Sequence, residues 1–168
     1  MPRRLIERCR EDSIREFRLA ARRRYDEALV LGAAGQRTGA IYLWGYTAEM
    51  ILKAGYFSLL GVAEVDSITW RRHLLPAIDR GRLLGIAWPR QVEGHNIRAW
   101  AELLVRVRAS SPATSYPVPF GREVQRQGQR LEPLWREILR YRKNESYLHE
   151  VTQVRKATEW LLVHSNQL

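Results

Sequence analysis

The chain has 168 residues, 45% of them hydrophobic and 27% charged, with a formal charge of +10 carried by 25 Arg and 3 Lys against 18 acidic side chains. That length and mixture describe one globular domain and exclude a disordered, collagen-like or disulfide-rich chain. A single cysteine, Cys9, rules out an internal disulfide, and the polar start Met1-Pro2-Arg3-Arg4 has no apolar h-region of a secretory signal, so a reducing cytoplasmic location is expected.

The first predicted helix starts at Asp12 or Ser13 and runs to Ala33. Ile14, Phe17, Ala21, Tyr25, Ala28 and Leu29 recur at spacings of three and four and form one apolar stripe. The second helix spans Arg37 or Thr38 to Leu60. It is apolar on nearly every side, which places it at the centre of the fold. Glu49 and Lys53 lie one turn apart within it, acid first, the favourable order for a pair. Two charges near the middle of the 39–63 stretch also argue against a membrane span, since each costs about 2.5–3.5 kcal/mol at a bilayer centre. Gly45 and Gly55 inside this helix each sacrifice about 1 kcal/mol of helix propensity, which calls for a packing reason.

Ser67 or Thr69 caps a short helix over 70–80. Gly81, Gly85, Pro89 and Gly94 then break the chain before the next helical pattern. His95 to Val107 reads as a helix with Ile97, Trp100, Ala101, Leu104 and Val107 inward, capped by Asn96 or His95. The Pro/Ser-rich stretch 109–119 is a loop. Arg122 to Leu139 reads as helical, with Val124, Leu131, Leu134, Trp135 and Ile138 inward and a kink or division at Pro133. The final helix covers 146–163, with Tyr147, Val151, Val154, Thr158 and Leu161 on its inner stripe. Hairpin turns and sustained alternation are missing. The expected architecture is an all-α, up-and-down bundle of four to five main helices in a single domain over 1–168.

The positive charge is spread. Residues 1–33, 34–119 and 120–168 carry net charges of +3, +4 and +3, so no segment forms a basic arm. Trp44, Trp100 and Trp135 read as core, and Trp70 and Trp88 as candidates to line a groove. Glu49–Lys53 reads as a structural pair, and His73 beside Arg71-Arg72 as a surface residue. No Walker A or Gly-x-Gly-x-x-Gly sequence and no paired metal-ligand spacing occurs, so neither cofactor nor metal is expected.

One segment combines the residue types of phosphate chemistry. Arg140, Arg142 and Lys143 precede the last helix and His149 lies in its first turn. With Ser146 as N-cap, His149 occupies N3, where the helix pole favours a neutral imidazole able to act as a base. It also lies about 200° around the helix from the inward Val151. Cleavage of RNA without metal needs a base for the 2′-hydroxyl and a cation for the phosphate, and a His–Arg pair supplies both.

Several stretches together resemble HEPN-domain proteins. They are Tyr25-Asp-Glu-Ala-Leu29, Gly35, Thr38-Gly-Ala-Ile-Tyr-Leu-Trp-Gly-Tyr46, Ala48-Glu-Met-Ile-Leu-Lys-Ala54 and Arg140-Tyr141-Arg142. The resemblance covers roughly 12–60 and 134–164. It implies a helical bundle, dimeric through its long helices, of a kind found in toxin–antitoxin and phage-defence systems beside a small nucleotidyltransferase. Active members are metal-independent endoribonucleases with an Arg-x4–6-His motif. Here Arg142 and His149 enclose six residues, and the polar position after the arginine is Lys143, followed by Asn144. The implied roles are base for His149, phosphate clamp for Arg142, and phosphate or RNA contacts for Arg140, Lys143 and Asn144. Two functions are implied: an RNA- or nucleotide-directed module, with ribonuclease activity in its catalytic form, or a non-catalytic subunit that docks a nucleotidyltransferase or another protein.

Overall fold

The computed structural model describes residues 11–89, 94–110 and 115–168; Cys9 and part of the 109–119 loop lie outside them. The described residues form six α-helices and no strand: α1 (Ile14–Ala33), α2 (Arg37–Leu59), α3 (Leu75–Leu83), α4 (Ile97–Ala109), α5 (Val118–Leu131) and α6 (Leu148–Val163). No described helix is long and apolar enough to cross a membrane.

α1 begins where Ser13 Oγ accepts from Glu16 N at 3.2 Å. It buries Ile14, Phe17, Ala21, Tyr25 and Ala28, the predicted stripe save Leu29, which is half-buried against the core. Gly35, at φ +75°, turns the chain back into α2. α2 packs against α1, α4 and α6. Burial on several sides explains its nearly continuous apolar sequence. Gly45 has the expected packing reason: a Cβ there would sit 2.0 Å from Trp135 Cδ1.

A turn of π-helix, Trp70–Leu74, leads into α3, with Pro76 in the first turn, where a missing N–H costs nothing. Asn96 caps α4, its Oδ1 accepting from Ala99 N at 2.9 Å. Trp88 does not line a groove. It is 6% exposed, lies against Gly81 and meets Trp100 edge-on with ring centroids 5.2 Å apart. Trp70 is 40% exposed.

The predicted 122–139 helix is divided. α5 starts earlier, at Val118, and stops at Leu131, and a 3-10 turn covers Glu137–Tyr141. Pro133 cannot donate the hydrogen bond that would continue the helix. The break lets Trp135 enter the core, its Nε1 donating to Tyr42 O at 2.9 Å, while Ile138 is exposed rather than inward. The last helix also starts later than expected. Tyr147, not Ser146, is its N-cap, so His149 is the second helical residue rather than the third. Tyr147 accordingly leaves the inner stripe and is 66% exposed, while Val151, Val154, Thr158 and Leu161 are buried.

Candidate functional site

The 140–149 segment lies between the 3-10 turn and α6, and its backbone is pinned to the start of α2. Gln36 caps α2 without a side-chain bond, so the first-turn N–H groups need partners from elsewhere. Asn144 supplies one: its Oδ1 accepts from Thr38 N at 3.1 Å and its Nδ2 donates to Gly35 O at 2.8 Å. Thr38 Oγ1 in turn accepts from Glu145 N at 2.9 Å and Ser146 N at 3.1 Å. With both lone pairs taken, the Thr38 hydroxyl donates to Ser146 Oγ, 2.8 Å away. Asn144 therefore caps α2 from more than a hundred positions down the chain, and Thr38 in turn pins the backbone of 145–146.

The predicted site residues fall on either side of this clamp. Arg140, Arg142, Lys143 and His149 are all exposed. Arg140 lies over the ring of Tyr141, 4.7 Å from its centroid. His149 stacks on Tyr147, centroids 5.7 Å apart and planes 11° from parallel. Among the described residues, no ion pair holds Arg140, Arg142 or Lys143, and no hydrogen bond joins Arg142 to His149. Glu145 is exposed on the same segment, and the Glu150 carboxylate accepts from Tyr147 N at 2.7 Å. The amide of Asn144 is committed to α2 at both ends, so this residue positions the segment.

A second cluster was not foreseen as a site. Glu49, 2% exposed, accepts from Lys53 Nζ at 2.5 Å and is met by His95 Nδ1 at 3.0 and 3.2 Å. The sequence spacing correctly anticipated the buried Glu49–Lys53 pair; His95 joins it only in three dimensions. Burial by itself would raise the Glu49 carboxyl. The Lys53 ammonium and the His95 hydrogen bond outweigh that penalty and hold it below the ordinary carboxylate value. An ionised carboxylate only accepts, so Nδ1 carries the proton and Nε2 of a neutral His95 is an acceptor. Tyr46 and Trp135 flank the imidazole at 6.3 and 6.5 Å between centroids.

His95 forms part of the wall of a cleft of about 290 Å³, with Pro89, Ile97, Trp135 and Arg136 around it. An imidazole oriented by a buried carboxylate can accept a hydrogen bond from a ligand or take a proton from a hydroxyl. The only sequence hint was the Gly94-His95-Asn96 step, which reads as helix capping, and Asn96 does cap. Among the described residues, no group of three His, Cys, Asp or Glu side chains is disposed to hold a metal ion.

No family model, curated protein or solved structure matches the chain.

Proposed function

We propose that the protein is an RNA-directed helical module of the HEPN type, which binds single-stranded RNA along residues 140–149. The observation that carries this reading is the surface of that segment. Three cations without a carboxylate partner among the described residues, the Tyr141 ring beneath Arg140 and a stacked Tyr147–His149 pair project from a segment clamped to α2. Cations that track phosphates, together with aromatic rings that stack on bases, are the chemistry by which single strands are held. The clamp keeps the backbone fixed, so little ordering entropy opposes binding. In the catalytic form of this reading, His149 takes the proton of a 2′-hydroxyl and Arg142 receives the phosphate charge.

The test is binding of a fluorescent single-stranded RNA at two salt concentrations, with cleavage followed in EDTA. The Arg142→Ala/Lys143→Ala variant is expected to weaken binding and to lower the salt slope by about 0.7 for each phosphate contact removed. Tyr147→Ala is expected to cost about 1–3 kcal/mol for a stacked base. Cleavage by the wild type that is lost in both Arg142→Ala and His149→Ala, with folding intact, assigns the ribonuclease activity. Equal traces from all of these proteins would overturn the site. Light scattering tests the dimer that accompanies this reading: a mass of one chain at high concentration would overturn it.

A further inference from the structure

The His95 cleft carries chemistry that the 140–149 segment does not use. Behind His95 lies a neutralised charge pair, Glu49 with Lys53, shut away from water. That pair serves the surface through one group: Glu49 fixes the tautomer and tilt of His95, whose side chain is 38% exposed. No described residue bonds to His95 Nε2. When His95 is neutral the cleft therefore presents a fixed acceptor, which calls for a hydroxyl or ring N–H on the ligand.

The rest of the wall specifies the other end of that ligand. The N-terminus of α4, a helix of 13 residues, opens onto the cleft through Asn96 and Ile97 and contributes the positive pole of its dipole. Arg136 lines it as well. Among the described residues, the nearest carboxylate to Arg136, that of Glu137, is 3.9 Å from its Nε, beyond hydrogen-bond distance. Glu132, the one acid on the wall among the described residues, is already engaged by Arg98 at 3.2 Å. Ile97 and Trp135 add an apolar strip. The volume is at the low end for small-molecule sites, which fits a single nucleotide better than a larger cofactor.

We propose that this cleft is a second ligand site, for a nucleoside monophosphate. A sugar hydroxyl or base N–H donates to His95 Nε2, and the phosphate is received by Arg136 at the N-terminus of α4. The choice of a nucleotide among small organic anions rests on the RNA-directed reading above; the cleft chemistry itself does not.

The test uses AMP, adenosine and inorganic phosphate as probes on the full chain, by calorimetry and by nitrogen NMR of the histidine rings. The free protein should show His95 as the Nδ1–H tautomer, and AMP should shift its Nε2 resonance. AMP should bind at least tenfold more tightly than adenosine or phosphate alone. His95→Ala and Arg136→Ala should each weaken AMP at least tenfold, while Arg122→Ala, an exposed arginine of α5, should leave it unchanged. Circular dichroism checks that His95→Ala and Arg136→Ala remain folded, and the NMR shift in the wild type needs no variant. Absence of AMP binding, an Nε2–H tautomer, or equal binding by His95→Ala would overturn the site. Phosphate binding as tightly as AMP would overturn the nucleotide assignment. RNA binding that survives while AMP fails removes this site alone; AMP binding that survives loss of RNA binding removes the 140–149 reading alone.

Discussion

Glu49 and Lys53 lie one helical turn apart in α2 and are shielded from water. Removing one partner of such a pair leaves the other charged and buried, which costs far more than the intact pair contributes. Glu49→Ala is therefore expected to lose about 3–5 kcal/mol in urea unfolding. Lys53 would retain its place over the Trp100 ring, 5.4 Å from the centroid. The double change Glu49→Leu/Lys53→Met removes both charges and should lose much less. A large loss in the double variant would contradict the stranded-charge explanation. The pH dependence has a definite sign. Because the folded Glu49 carboxyl lies below its ordinary value of 4.5, its contribution is fully present above that pH and is lost as the pH falls below it.

Within α2, two glycines that look alike in sequence have opposite surroundings. A Cβ at Gly45 would enter the Trp135 indole, which is fully buried and tied to Tyr42 O. Gly45→Ala is expected to destabilise by about 1–3 kcal/mol through overpacking, or more where the indole cannot shift. At Gly39 the nearest atom is Leu31 Cδ1 at 3.3 Å, the far end of a flexible side chain. There the gain in helix propensity, about 1 kcal/mol, offsets the small adjustment, and thermal melting should show Gly39→Ala at or above wild type. The clamp at the start of the same helix is a further element-scale device. Thr38→Val removes the acceptor of two backbone N–H groups and is expected to cost about 1–3 kcal/mol. The same substitution should weaken RNA binding along 140–149 without touching a cation.

At the scale of the whole molecule, four tyrosines respond alike to alkali. Burial raises the phenols of Tyr25, Tyr46, Tyr56 and Tyr116, the last to about 12. In the unfolded chain each ionises near 10.0, which stabilises the unfolded state first. Stability should thus be complete below that pH and decline as the pH rises from about 10 to 12, read as a falling urea midpoint alongside the tyrosinate absorbance. Tyr116→Phe removes the largest of these shifts and should flatten the decline. It also removes a hydrogen bond to Leu168 O at 3.1 Å, so its stability at neutral pH is the baseline for comparison.

Periodicity was sufficient for α1, α2 and α4. The stripe of α1, the all-round apolar α2 and the Asn96 cap of α4 each depend on residues within a few positions of one another, where helix geometry is set by spacing alone. The exposure of His149, about 200° around the helix from Val151, was legible for the same reason, as was the Glu49–Lys53 pair at i,i+4. Pro133 marked a kink or division in the sequence; only the tertiary structure showed that the helix stops at Leu131 and that the break carries Trp135 into the core against Gly45. Only it showed that Asn144 serves α2, a hundred positions away, and that His95 completes the Glu49 cluster across 46 positions. Such contacts are governed by which helix faces meet, and no local pattern of residue types carries that information.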